Sequence, residues 1–343
     1  MPNTLTENFV EQFTLCKVTA DETIGIIAEL GQKDEYVAAA VAAARQLGAG
    51  VLVLHASSLS NPNLPPYVAD GREVAPLLAA AGECDFVVDV TVGGLIHSDV
   101  RTRITGNGKR MLFVAEPNDV LERLSGNIDL RSAVESGGNR LRSGSTLRVT
   151  NDAGMDLTAD ISGEDLPITH QWGYVDEPGR WDHWPSGFVA CFPQDRTAEG
   201  RIVLQPGDAL IPWQRYVRDT VTLEVEKGFI KSISGEGADA HLLNDYFEAW
   251  NDSEVWALSH MGWGLLERAR WSAFDVYDPR TLYGQELRST AGNFMWSTVE
   301  SLRGPRDPGT PRHPDARLHC RDRRRRGGPR RQACHRLTHS TRT

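Results

Sequence analysis

Apolar residues in the first third of the chain come in short unbroken runs separated by stretches of helical periodicity. Thr23 to Leu30 (TIGIIAEL), Val51 to His55 (VLVLH), Phe86 to Val92 and Arg110 to Ala115 read as strands. Between them, Tyr36 to Leu47 is an Ala-rich helix pattern closed by Gly48 and Gly50, and Val74 to Ala81 is a further helix. Strands that are apolar on both faces and alternate with helices belong to a parallel sheet covered on both sides. The expected architecture is an α/β N-terminal domain with a mostly parallel sheet, ending near residue 135.

The pattern then changes period. Thr146 to Ile161 (TLRVTNDAGMDLTADI) alternates apolar and polar residues around a Gly turn, as a half-exposed antiparallel hairpin does. Arg201 to Leu204, Ala209 to Trp213, Thr220 to Val225 and Phe229 to Ile233 continue the strand signals. Leu242, Leu243, Tyr246, Phe247 and Trp250 recur at helical spacing, the stripe of one packed helix. Residues 136–300 are therefore expected to form a β-rich α+β domain, followed by an atypical Arg-rich tail over 301–343. Neither GxGxxG nor GxxxxGK[ST] follows any strand, and Gly93-Gly94 falls short of both, so no dinucleotide or P-loop site is implied.

Composition narrows the class. With 343 residues, 40% of them hydrophobic, the chain can bury two cores. Nine tryptophans, concentrated in the second half, point to a pocket or interface rich in flat rings. Cys16, Cys84, Cys191, Cys320 and Cys334 form no CxxC pair, which argues against a zinc knuckle or a disulfide framework. No run approaches the length of a membrane span, and no signal-peptide pattern opens the chain, so a cytoplasmic protein is expected. The formal charge of -9 is uneven: from Gly304 onward twelve Arg face three Asp, a surplus of +9, leaving -18 on the preceding body. An acidic body disfavours nucleic acid as a partner.

Three places carry candidate chemistry. Tyr174 to Phe188 (YVDEPGRWDHWPSGF) packs Glu177, Asp182 and His183 between Trp181 and Trp184. Such a loop is either a rigid structural turn or a wall that fixes polar groups around a flat substrate. His260 in Leu258 to Gly264 (LSHMGWG), at the end of a predicted helix, reads as a ligand or as part of a helix C-cap. His313-Pro314-Asp315 is an HxD pair, whose side chains share one side of an extended chain. With a second His, such as His260, it would complete a two-His-one-carboxylate site for Fe(II) with open positions. HxD alone is a weak motif.

Together, GYVDEPGRWDHWPSGF (Gly173 to Phe188), LEVEKGFI (Leu223 to Ile230), SHMGWGL (Ser259 to Leu265) and AGNFMWST (Ala291 to Thr298) resemble the 2,5-dihydroxypyridine 5,6-dioxygenases, distant relatives of the M29 metallo-aminopeptidases. The resemblance covers the chain up to about Thr298. It implies an Fe(II) ion in the second domain, held by His260, His313 and Asp315, with Ser297 close to it. His97 looks like the family's acid–base histidine, and His183 and Arg288 like its substrate-contacting groups, with Glu177 on the same wall. The implied reaction consumes a hydroxypyridine and O2 and gives N-formylmaleamate. A homo-hexamer is also implied.

The aminopeptidase alternative needs further glutamates. Here Gly187-Phe188 fills the first such slot and Ser259-His260 the second, so a bridged two-metal site is disfavoured. A third reading, a non-catalytic relative, draws on the tail: after Thr298 the sequence turns Arg-rich (GPRDPGTPRHPDARLHCRDRRRRGGPRR). GC-rich DNA read out of frame gives such runs. The expectation is a frame change between about residues 299 and 320, placed after Asp315 so that the triad is retained.

Overall fold

The computed structural model describes residues 3–56, 74–91, 95, 99–124, 130–278, 281–298 and 317–321. The chain folds into two compact units. The first comprises Met1–Leu130, Gln171–Gly187 and Arg268–Glu286; the second comprises Arg131–His170, Phe188–Glu267 and Leu287–Thr343.

The first unit opens with α1 (Leu5–Leu15), capped by Thr4 and Glu7 in a reciprocal capping box, and continues into β1 (Thr23–Glu29). Then follow α2 (Asp34–Gln46), β2 (Gly50–Ala56), α3 (Val74–Gly82), β3 (Phe86–Asp89), α4 (Asp99–Gly106), β4 (Arg110–Phe113) and α5 (Asn118–Leu124). The glycine after α2 does what its position requires. Gly48 takes φ +82°, its N–H bonds to Arg45 O, and Ala49 N–H reaches back to Ala44 O, which ends the helix in a Schellman motif.

The second unit begins with α6 (Leu130–Ser143) and the expected hairpin, β5 (Thr146–Thr150) and β6 (Asp156–Asp160), then β7 (Ile168–Gln171). The chain returns to the first unit for β8 (Trp181–His183). It resumes the second with β9 (Phe188–Cys191), β10 (Glu199–Leu204), β11 (Ala209–Leu210), β12 (Arg215–Tyr216), β13 (Val221–Glu226), β14 (Phe229–Ser234), α7 (Ala238–Ala249) and β15 (Leu258–Gly264). The short α8 (Ala273–Val276) and α9 (Gln285–Ser289) precede β16 (Asn293–Thr298) and β17 (Arg317–Arg321).

The first unit's sheet has the order β2-β1-β3-β4-β8, parallel throughout. β1, β3 and β4 are buried on both faces, which is why they read as apolar runs. The second unit holds two antiparallel sheets, β14-β13-β10-β6-β5 and β12-β11-β17-β16-β15-β9-β7. In the first of these β5 and β13 alternate buried with half-buried or exposed positions, as one-sided sheets do. Their shared core includes Leu157, Ile202, Leu223, Leu243, Phe247 and Trp296.

Two expectations need correction. The contiguous boundary near residue 135 gives way to a discontinuous one, because β8 pairs in parallel with β4, Met111 opposite Trp181 and Phe113 opposite His183. Three residues, WDH, make too short an apolar run to announce a fifth strand. His260 stands within β15, not at a helix end. The strand is fixed by β9 on one side and β16 on the other. Gly262 allows that closeness: a Cβ there would lie 2.2 Å from Val189 O. The expected β-rich second domain is present, and the Arg-rich segment contributes β17, antiparallel to both β16 and β11.

Candidate active site

Three of the parallel strands end on a buried polar residue. β1 ends on Glu29, β3 on Asp89, β4 on Phe113 and β8 on His183. The strand order reverses direction between β1 and β3, and open α/β sheets place their ligand crevices outside the carboxyl ends at such a point. Asp89 is fully buried and accepts the backbone N–H groups of Thr91 (2.8 Å) and Leu95 (2.7 Å), tying both residues to the end of β3. Burial pushes its carboxyl up to about 7, against those hydrogen bonds and with help from the charge of Glu29. Lys33, the N-terminal cap of α2 at φ +51°, sends its ammonium to Ala115 O, and burial pulls it down to about 8.

The Trp-rich loop is built around a buried carboxylate. Asp182 accepts from Trp172 N (2.9 Å), His183 N (2.8 Å) and Arg180 Nη2 (2.8 Å), and the Arg180 guanidinium lies over the Trp172 ring. Burial raises Asp182 to about 6 although Arg180 opposes the shift. Trp184 anchors the far end against Phe9, ring centroids 5.1 Å apart. Within this frame the buried His183 ring stacks on Tyr283 (5.3 Å) and meets Phe113 (5.5 Å) and Trp181 (6.0 Å). Its Nδ1 lies 2.8 Å from Gln171 Oε1. Glu177 is exposed on the turn before Arg180, apart from the buried part of the loop. The loop is thus a rigid turn, and it holds a buried imidazole.

In the second unit the structure brings His260 and Ser297 together. His260, 9% exposed, places Nδ1 2.7 Å from Ser297 Oγ, and its backbone N–H lies 3.5 Å from the same oxygen. Phe192 tilts against the ring at 5.5 Å. The Oγ of Ser259 and the Oγ1 of Thr298 are buried without a hydrogen-bond partner among the described residues. Arg288, 1% exposed, sits in α9, and its carbonyl accepts from Asn293 Nδ2 at 3.5 Å. His97, His313 and Asp315 lie outside the described residues. Among the described residues no group of three His, Cys, Asp or Glu could hold a metal ion. His260 nevertheless fits a metal-ligating imidazole, which needs one nitrogen for the ion and the other fixed by a hydrogen bond. No helix of the described residues is long and apolar enough to cross a membrane.

Asp89, Gln171, Ser186 and Gln285 escape a reading of the sequence alone. Asp89 carries a faint signal, a carboxylate closing an apolar strand run (FVVD). Gln171 and Gln285 carry none, because their partners lie far away in the chain.

The chain is similar to known proteins over most of its length. A family model described as NicX: 2,5-dihydroxypyridine 5,6-dioxygenase matches residues 4–320. The matched segment therefore runs past Thr298 and includes His313 and Asp315. The curated 2,5-dihydroxypyridine 5,6-dioxygenase of Pseudomonas putida KT2440 is 35% identical over 321 residues, covering 92% of this chain and 90% of its own. The solved structure of the 2,5-dihydroxypyridine dioxygenase from that organism superposes with a TM-score of 0.83 at 33% identity, covering 92% of this chain and 90% of that one. AmpT from Thermus thermophilus superposes at 0.52 with 12% identity, covering 85% and 86%, a likeness of fold alone.

Proposed function

Because this chain belongs to the 2,5-dihydroxypyridine 5,6-dioxygenase family, an enzyme family, we propose that it opens the ring of 2,5-dihydroxypyridine across the C5–C6 bond with O2, giving N-formylmaleamate. The observation that carries the reading is the buried His260–Ser297 pair on adjacent strands. The hydrogen bond to Ser297 holds one ring nitrogen, which supports a ligand's role for His260. The ion proposed is Fe(II), held by His260 with His313 and Asp315. When bound it supplies Lewis acidity and a common meeting point for substrate and oxygen.

The remaining work falls to side chains of this protein. His97 takes the proton of the 5-hydroxyl, since a deprotonated oxygen is the better ligand and an imidazole titrates near neutrality. His183 and Arg288 orient the ring, both from buried positions. Ser297 holds the His260 ring, and Glu177, exposed on the Trp-rich loop, stands at the outer edge of the same wall. Both oxygen atoms enter the product, which contains all atoms of substrate and O2. No external reductant is needed, in keeping with a sequence that has no dinucleotide fingerprint.

Anaerobic loading with Fe(II), followed by O2 and 2,5-dihydroxypyridine, tests the proposal through loss of the substrate's ultraviolet band. Hydrolysis of peptide amides with Zn(II) or Co(II), and no turnover of the pyridine, would reverse it in favour of the aminopeptidase reading.

A further inference from the structure

Around His183 the first unit holds a buried hydrogen-bond cluster whose other members, Gln171, Ser186 and Gln285, that mechanism does not use. Gln171 Oε1 is approached by three groups: His183 Nδ1 at 2.8 Å, Ser186 Oγ at 3.2 Å and Gln285 Nε2 at 3.4 Å. Gln285 Nε2 also donates to Ser186 Oγ at 3.1 Å, and the Gln285 backbone N–H donates to Glu116 Oε1 at 2.6 Å. All four side-chain partners are buried, Gln171 completely. An amide oxygen only accepts, so the group facing it on the imidazole must be an N–H. The ring cannot turn away, since Tyr283, Phe113 and Trp181 pack around it.

We propose that Gln171 is a positioning residue that holds His183 as the neutral Nδ1–H tautomer, so that Nε2 accepts a hydrogen bond from the hydroxyl or ring N–H of the hydroxypyridine. The substrate half of this statement rests on the function proposed above. The choice of an amide matters. A carboxylate at residue 171 would favour the imidazolium, which has no acceptor. A neutral amide fixes the same geometry and leaves the ring uncharged. Among the described residues, these charged and titratable groups lie near the ring. Asp182 accepts from the His183 backbone N–H and is paired with Arg180, Arg101 lies over Trp181, Glu116 touches the cluster through Gln285, and the Tyr283 phenol ring is stacked on the imidazole.

Two buried amide atoms, Gln171 Nε2 and Gln285 Oε1, have no hydrogen-bond partner among the described residues. Turning both amides over would present Nε2 of Gln171 to the ring and move the imidazole proton to Nε2. Nitrogen-15 histidine NMR of the full chain, purified without added metal, separates the two polarities. The His183 signal is identified by its loss in His183→Gln. The expected pattern is a protonated Nδ1 and an unprotonated Nε2; the reverse overturns the proposal.

Gln171→Glu extends the test, because a carboxylate keeps the Nδ1–H contact and adds charge. The His183 titration should rise by about 1 to 2 pH units, and the acid limb of kcat/KM should move up with it. Gln171→Met, whose thioether is uncharged and only a weak acceptor, should lower kcat/KM without moving that limb upward. An unchanged His183 titration in Gln171→Glu, or an acid limb that stays in place, overturns the assignment. The NMR readings need no substrate. A protein that shows the expected tautomer but never turns over 2,5-dihydroxypyridine refutes the functional reading and leaves the Gln171–His183 contact standing.

Discussion

Ser297 Oγ stands 2.7 Å from His260 Nδ1 and 3.5 Å from the His260 backbone N–H, so one hydroxyl on β16 fixes both ring and backbone of one histidine on β15. If His260 held the proposed ion through Nε2, Nδ1 would carry the proton and donate to Oγ, and the serine would set both the tautomer and the ring plane. Partners of this kind contribute roughly 10–100-fold to metal affinity. Ser297→Ala is therefore expected to weaken iron binding by about that factor, and His260→Ala to abolish it. Competition titration with a chelator measures both. Iron stoichiometry near one in the His260→Ala protein would reject the assignment.

His97 is proposed to move a proton and not to bind the ion. His97→Ala should keep its iron and lose rate by about 10²–10⁴-fold, the usual range for removing a general acid or base. Loss of iron in that variant would place His97 among the ligands instead.

Asp89 makes a prediction about pH and stability. Its carboxyl is raised from the ordinary 3.8 to about 7, so the folded state keeps a proton that the unfolded chain has already released. Stability therefore falls as pH rises from about 4 to about 7. Asp182, raised to about 6, acts with the same sign. Asp89→Asn removes the larger of the two and should shrink the loss of stability between pH 5 and pH 8, read from urea midpoints. The variant should also be less stable by about 1–3 kcal/mol at pH 5, because one of the Thr91 and Leu95 N–H groups loses its acceptor. A pH dependence identical to that of the unsubstituted protein would show that Asp89 titrates normally.

Gly262 supports the strand that carries His260. A methyl group there would meet Val189 O at 2.2 Å and Ala190 Cβ at 2.6 Å. Gly262→Ala should cost about 1–3 kcal/mol, the usual range for overpacking. The signature is a lowered Tm together with weaker iron binding. Unchanged values of both would mean that β9 and β15 separate more easily than their close pairing implies.

The Arg-rich segment offers a direct check. Sequencing the coding DNA and mapping peptides across residues 299–320 should show the frame change after Asp315. Purified protein with an intact frame and the same tail would remove the idea, and β17 would then be a native closing strand.

Much of the fold was legible in the sequence because burial on both faces leaves a signature in consecutive residues. β1, β3 and β4 had to be mostly apolar on both faces, and β5 and β6 had to alternate. The family was legible for a different reason, as the Gly173–Phe188 loop motif crowds so many unusual neighbours into one stretch. What only the tertiary structure decided lies in pairings that leave no local trace. Gln171 meets Gln285 across 114 positions, His260 meets Ser297 across 37, and the short WDH strand gains its identity only by lying beside β4. Apolar burial is paid for residue by residue along the chain and so is written there. A hydrogen bond between distant side chains depends on where the fold sets them down, and at Asp89, Gln171 and His260 the fold made that choice.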